Sequence, residues 1–379
     1  MNIHFLVTKD LFHGGGIETY TREVARRLVL RGHEVTIYST RGDHGCPPEW
    51  EGARLIWLPR MKPSWAEKCF GAGSAAVHAL RESPPDVLHL HSVVSGCLAP
   101  LFRTLGIPSV LQMHGVEWMR SRWGVPARFV LYSMERLSIK SADAITAVSK
   151  TQCEYFSKKY GAHCQYIPTA ADVMPLAEPQ MIQHLGISAR QYILFAARLV
   201  PEKGLHHLIP AYLRTPTMYP LVIAGDAPKG STYRQELLKL SQGDKRIRFI
   251  GHVHGRLLEE IYSNAALFVQ PSELEGLSIG LIEAMTYALP CIASDIPENR
   301  EVVGDASFLF KNKDIDDLQR QLQFALENPD IAERLGRMGR RRVETLFSWK
   351  SIVDQLEELY KRVFHEFGRT TERAESHAP

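Results

Sequence analysis

The stretch from Pro271 to Pro290, PSELEGLSIGLIEAMTYALP, follows the apolar run ALFVQ and carries two glutamates, Glu275 and Glu283, eight positions apart. It reads as strand, loop and helix start, and three chemistries compete for it. A nucleophile elbow would centre on Ser278, but an elbow needs the strand to run straight into the serine turn, and here PSELE intervenes. Only His365 and His377 follow Ser278 as base candidates, one in a terminal helix and one in a polar tail, so a serine hydrolase is set aside. An ordinary helix, its charged residues in caps or surface salt bridges, accounts for each of these residues singly but less well for their joint occurrence. Anion binding survives: the amides near Leu277, Ser278 and Ile279 face whatever approaches the helix start, which carries about half a positive charge.

The surrounding sequence repeats the same unit. QYILFAARL, YPLVIAGD, IRFIGHV, ALFVQPS and PCIASD are strand candidates separated by helical segments, the pattern of a parallel sheet covered on both faces. Just past the first of these, ARLVPEKG supplies Arg198 and Lys203 at the sheet end where doubly wound folds bind ligands. A planar fork and a flexible ammonium on one loop could clamp a diphosphate without a metal. The two carboxylates would repel phosphate, so they suit hydroxyl groups: Glu283 a ribose, Glu275 a sugar.

The N-terminal half has the same rhythm, with strands at IHFLV, HEVTIYS, DVLHLH, PSVLQMHG and DAITAVS. In GGGIETYTREVARRLVLRG, Tyr20, Val24 and Leu28 recur at i+4 as a core face. Glu18–Arg22 and Glu23–Arg27 pair outside, and Gly32 ends the helix. TAADVMPLAEPQ reads as a linker. The expected architecture is α/β: two Rossmann-like doubly wound domains, residues 1–172 and 173–347. A helix over 348–367, periodic at Ile352, Leu356, Leu359 and Val363, packs back on the first, and a polar tail over 368–379 is disordered.

Bulk properties narrow the class. The chain has 379 residues, 45% hydrophobic and 23% charged, enough for two cores. No apolar run reaches the roughly 18 residues of a membrane span, and MNIHFLVTKD has neither the charged start nor the cleavage site of a signal peptide. Six cysteines without a C-x-x-C pair suggest free thiols in a cytoplasmic setting. Residues 1–172 carry a net +5 and the remainder −2, a balance that suits an anionic surface or phosphorylated acceptor rather than nucleic acid. Asp314 and Asp316 form a D-x-D, but they open a helix, where capping is the better reading. The H-x-H pairs His89/His91 and His252/His254 lack a third ligand at recognisable spacing, so no metal is expected. GGGIE lacks the dinucleotide spacing, which disfavours a nicotinamide dehydrogenase.

With these motifs in order, GGGIE, MHG, RLVPEKG, EGLSIGLIEAM as E-x(7)-E, and ASDIPENREVV, the chain resembles family 4 glycosyltransferases over roughly residues 1–365. The resemblance implies the GT-B fold, with two domains facing a central cleft that closes on substrate. It also implies transfer from a nucleotide-diphosphate sugar with retained configuration, UDP being the expected nucleotide, and neither cofactor nor metal. By position it implies that Arg198 and Lys203 hold the diphosphate, Glu283 the ribose and Glu275 the transferred sugar. Leu277, Ser278 and Ile279 would complete the phosphate and sugar contacts, Val253 would meet the base, Gly15 and Gly16 would admit the phosphates and acceptor, and His114 would lie near the sugar. Ser278 departs from the glycine of many members, which leaves donor preference open. GGIETYTREVARRLVLRGHEVTIYSTRG and HGVEWMRSRWG resemble a subgroup linked to rhamnosyl and other cell-surface polysaccharide transfer, O-antigen included.

A lipid-linked saccharide acceptor would place the protein at the cytoplasmic membrane face. Trp118, Trp123, Phe129 and Tyr132, interleaved with Arg120, Arg122, Arg128, Arg136 and Lys140, are expected to meet anionic lipid there. The rival readings are a nucleotide-sugar epimerase, a phosphorylase, and a non-catalytic sugar-nucleotide-binding protein.

Overall fold

The computed structural model describes residues 1–7, 10–12, 15–41, 45–59, 73–75, 77–78, 84–120, 123–228 and 230–376. The chain divides into two compact units, Met1–Thr169 with Trp349–Pro379, and Ala170–Ser348.

The first unit is built on an eight-stranded sheet. Its strands are β1 (Asn2–Leu6), β2 (Glu34–Thr40), β3 (Glu49–Trp50), β4 (Ala53–Leu58), β5 (Val87–His91), β6 (Ser109–Met113), β7 (Ala144–Ala147) and β8 (Cys164–Tyr166), in the order 3-4-2-1-5-6-7-8. All pairs are parallel except β3–β4. Burial on both faces favours near-continuous apolar strands, yet His4 of β1, Gln112 of β6 and both histidines of β5 are buried as well. The first helix, Gly16–Leu30, buries Tyr20, Val24 and Leu28 as its periodicity predicts. Its charges behave only partly as expected. Glu23 pairs with Arg27, but Glu18 is buried beside Gly15, and Arg22 donates instead to the Leu11 carbonyl at 3.0 Å and the Thr19 hydroxyl at 3.3 Å. The Leu11 carbonyl and the Thr19 hydroxyl satisfy the Arg22 guanidinium without a hydrogen bond to Glu18.

The terminal helix, Trp349–Ser376, lies in this unit and buries Ile352, Val353, Leu356, Leu359, Tyr360 and Val363. It continues through the polar stretch that composition assigns to a disordered tail, because each residue added to a packed helix gains a hydrogen bond without a new nucleation cost. Residues 377–379 lie outside the described residues, as does Arg122.

The second unit has six parallel strands: β9 (Ile193–Ala196), β10 (Leu221–Ala224), β11 (Ile247–Gly251), β12 (Leu267–Gln270), β13 (Cys291–Ser294) and β14 (Phe308–Phe310). Their order is 11-10-9-12-13-14. The order reverses between β9 and β12, the kind of switch point at which doubly wound sheets bind ligands. Its core joins Ile193, Phe195, Leu205, Leu208, Ile223 and Leu237 with Phe310, Leu318 and Leu322. Each such side chain contributes about 1.5–3 kcal/mol on burial.

Among the described residues no helix is long and apolar enough to cross a membrane, and the described cysteines are free thiols. Cys153 and Cys164 lie 3.0 Å apart.

Candidate active site

The β9–β12 switch point collects most of the residues singled out in the second unit. Arg198 stands two positions beyond β9, and Lys203 closes the short turn Pro201–Lys203. Gly204 follows with φ +69°, and a Cβ there would lie 1.8 Å from the Pro271 carbonyl oxygen. Only glycine lets the PEKG turn approach the loop after β12 this closely. That approach brings Lys203 Nζ within 2.6 Å of Glu275 Oε1. Gln270 Nε2 donates to the same oxygen at 2.8 Å and to the Ser272 hydroxyl at 2.9 Å. Lys203 and Glu275 are thus ion-paired, which their separate assignments from sequence did not anticipate. Arg198 is exposed and has no side-chain partner among the described residues. It is the cation available to an incoming anion.

The helix Ile279–Thr286 begins as expected, with Ser278 at its N-cap, but two details differ. The Ile279 amide is not open to a ligand: it donates to the Leu277 carbonyl at 3.0 Å, across a tight turn at Ser278 with φ −80° and ψ 82°. Ser278 does not cap with its side chain either. Its hydroxyl bonds Asn299 Oδ1, while Asn299 Nδ2 donates to the Ser294 carbonyl and hydroxyl at 2.9 Å each, and Ser294 donates to the Ser272 carbonyl. This buried chain of hydroxyls and one amide ties the helix start to the strand ends on either side. The serine in the glycine's place is a structural tether here.

Glu283, one turn into the helix, accepts a hydrogen bond from Tyr262 at 3.2 Å. Tyr262 stacks on Tyr287, with rings 5.7 Å apart and 2° from parallel, and also meets Phe268. Burial in this aromatic setting pushes the Glu283 carboxyl up to about 7, against the opposing effect of the Tyr262 hydrogen bond. Val253, two residues beyond β11, is buried, and its flanking His252 and His254 stack 5.9 Å apart. Asp314 caps its helix by accepting from the Asp317 amide at 3.0 Å, as expected, and Asp316 pairs with Arg214 at 2.5 Å.

In the first unit, Gly15 is the N-cap of the first helix and Gly16 its first residue. His114 follows β6 and joins a hydrogen-bonded histidine chain that sequence spacing alone does not disclose. Thr21 donates its one hydroxyl proton to the Ile17 carbonyl at 2.9 Å, so its oxygen accepts from His91 Nε2 at 3.0 Å. Neutral His91 then accepts at Nδ1 from His114 Nε2, also 3.0 Å away, which leaves the His114 lone pair on Nδ1. Desolvation holds His114 and His89 down to about 3 and His91 well below its usual value, so all three are neutral. His89 bonds the Tyr360 hydroxyl at 2.6 Å. The H-x-H pair of β5 is therefore committed to tyrosine, threonine and histidine partners. Ser92, immediately after β5 at this sheet's own switch point, has φ +72°, an uncommon conformation for serine.

Residues 14–174 match the family Glycosyltransferase Family 4, and residues 178–342 match Glycosyl transferases group 1. Alpha-maltose-1-phosphate synthase of Mycolicibacterium smegmatis is 30% identical over 308 residues, 73% of this chain and 79% of that protein. The chain belongs to glycosyltransferase family 4. The O-antigen chain mannosyltransferase B of Escherichia coli is 26% identical to this transferase over 208 residues, 54% of the chain and 53% of that protein. A solved Anabaena structure in complex with UDP and glucose shares the fold at a TM-score of 0.81 and 18% identity, covering 96% of the transferase and all of that chain (100%). The transferase is thus a GT-B enzyme with two Rossmann-like units.

Proposed function

We propose that this glycosyltransferase takes a sugar from a nucleoside diphosphate, UDP by preference, and transfers it with retention to a saccharide carried on a lipid. The observation that carries the donor reading is the Lys203–Glu275 ion pair beside the exposed Arg198 at the β9–β12 switch point. A diphosphate arriving there meets the exposed Arg198, which has no side-chain partner among the described residues, and competes with Glu275 for Lys203. Glu275, released, is then free to accept hydroxyls of the sugar. The Leu277 and Ser278 amides at the helix start add partial positive charge, Glu283 takes the ribose hydroxyls, and Val253 offers its backbone to the base. His114 accepts from a sugar hydroxyl through Nδ1, and Gly15 and Gly16 leave room for phosphate and acceptor.

Retention follows if the C1–O bond to the diphosphate breaks on the face where the acceptor oxygen bonds C1, with the departing phosphate taking the acceptor proton. Electrostatic stabilisation of that leaving group is the main catalytic contribution, and it uses no metal. Arg198→Ala and Lys203→Ala should each lower kcat/KM about 30- to 1000-fold, by analogy with the loss of one oxyanion donor at roughly 2–4 kcal/mol. The test is UDP release from a panel of UDP-sugars, hexoses and rhamnose included, with excess chelator in parallel and product configuration read by NMR. Turnover within threefold of wild type in both variants, or activity abolished by chelator and restored by manganese, would overturn this reading.

The relative that builds O-antigen supports a cell-surface polysaccharide as product, and the helix Val125–Ser141 supports a lipid-borne acceptor at the cytoplasmic membrane face. Phe129 is 72% exposed and Val125 79%, with Arg128, Arg136 and Lys140 exposed on the same helix. The other aromatics expected at the membrane turn inward. Trp118 donates to Glu135 at 3.3 Å and packs edge-on against Tyr132, and Trp123 packs against the core. Arg120 is paired with Glu117 at 2.9 Å. Phe129→Ser with Arg128→Ser should therefore abolish salt-sensitive sedimentation with anionic vesicles, and equal binding to neutral vesicles would refute the lipid contact.

A further inference from the structure

A cluster beside the switch point has no part in the donor reading. His206 and His207 are consecutive residues in the first turn of the helix Leu205–Leu213, where neighbours normally diverge by about 100°. Here their ring centroids lie 4.0 Å apart, and both Nε2 atoms reach Glu273 Oε1, at 3.2 and 2.9 Å. Glu273 is positioned by its own amide, which donates to the Glu202 carbonyl at 2.9 Å. His206 is steered from behind, its Nδ1 2.7 Å from the Tyr233 hydroxyl. All three donor atoms fall within 4.8 Å of one another.

We propose that His206, His207 and Glu273 form a binding site for a zinc-class divalent transition metal. Zinc–nitrogen and zinc–oxygen bonds of about 2.0–2.2 Å set ligand atoms roughly 3.3 Å apart at the corners of a tetrahedron. The two separations from Glu273 Oε1, 3.2 and 2.9 Å, are within a few tenths of an ångström of that edge. The protein supplies three corners, and the side chains keep 14–30% of their surface exposed, so a fourth corner is open to water.

The ligand chemistry fits as well. Two imidazole nitrogens and one carboxylate oxygen make a donor set that suits a zinc-class ion. Tyr233 plays the outer-shell part, orienting the His206 ring by accepting from Nδ1 once Nε2 gives up its proton to bind metal.

Lys313 makes the proposal specific. Its ammonium lies 2.6 Å from the other Glu273 oxygen, Oε2, and so places a like charge near any ion held on Oε1. Removing it should tighten metal binding, whereas a merely structural histidine–carboxylate cluster gives no such sign. Occupancy would staple the loop of Glu273 to the turn after Lys203, next to the Lys203–Glu275 pair.

The test is titration of the full chain with Co²⁺ at pH 7.5, read by visible absorption, and competition with Zn²⁺. One ion per chain is expected, with a tetrahedral or five-coordinate spectrum. His207→Ala and Glu273→Gln should weaken it at least tenfold, and Lys313→Gln should strengthen it at least threefold. Circular dichroism confirms that each variant is folded, and Lys313→Gln leaves all three ligands intact. No saturable Co²⁺ binding in wild type, an affinity unmoved by His207→Ala, or weaker binding in Lys313→Gln would each overturn the assignment.

Discussion

Glu283 combines two demands that oppose each other. Its folded-state value of about 7 lies above the ordinary carboxyl range because burial disfavours the charge. Below about pH 4 the group is protonated folded or unfolded and has no effect on stability. As pH rises from there to 7, the unfolded chain ionises first, so stability falls, and above 7 the loss is complete. Glu283→Gln should therefore raise stability at pH 8 by about 1–3 kcal/mol while weakening UDP binding. Calorimetry at pH 6 and pH 8 separates the effects: wild type should gain affinity with pH more steeply than the variant, in which only the phosphate titrates. Parallel profiles would remove the ribose role. Gly204 has the reverse character, since its backbone leaves no room for any side chain. Gly204→Ala should cost about 2–4 kcal/mol through the left-handed φ and the clash with Pro271, as measured by urea unfolding. A loss under about 0.5 kcal/mol would mean that the two loops do not meet as closely as described.

At the level of elements, the contact of the helices Val125–Ser141 and Lys150–Tyr160 turns on one buried carboxylate. Glu135 Oε1 accepts from Tyr160 at 2.7 Å, Tyr155 at 2.9 Å, Lys159 at 3.1 Å and Trp118 at 3.3 Å. The Lys159 ammonium sits over the rings of Tyr132 and Trp118, at 4.2 and 4.8 Å. A paired charge of this kind adds little net stability over an apolar pair, yet removing one partner strands the other. Lys159→Met should therefore cost about 3 kcal/mol, and Glu135→Met combined with Lys159→Met should recover much of it. A double variant as unstable as the sum of the singles would show no coupling between the two residues.

For the whole molecule, the division into units has a direct consequence. Residues Ala170–Ser348 hold a six-stranded sheet with its own core, so this fragment should fold alone and melt cooperatively. The first unit should not survive loss of the terminal helix. A chain ending at residue 348 uncovers the surface packed by Ile352, Leu356 and Tyr360 and strips His89 of its phenol partner. It should bind hydrophobic dyes and lose its near-UV circular dichroism from the first unit. A soluble 1–348 chain with wild-type melting would contradict that account.

What the sequence by itself determined is periodic or local. Alternating apolar runs and amphipathic stretches marked the parallel sheets, the i+4 spacing marked Tyr20, Val24 and Leu28, and Asp314 was readable as a cap because capping is satisfied within three residues. Short strands are less legible: β8 and β14 span three residues each, too few to show a period. Tertiary structure alone decided which distant groups meet. Lys203 and Glu275 are 72 positions apart, His91 and Thr21 are 70, and Glu273 and His207 are 66, and nothing periodic links such residues. The two pairs of the second unit depend on strand order, which brings the loops after β9 and β12 together, and on a glycine small enough to let them touch, whereas His91 and Thr21 meet where the first helix reaches the end of β5. The protonation states follow from the same cause: the charge of Glu283 and the neutrality of His114 are set by what the fold buries around them.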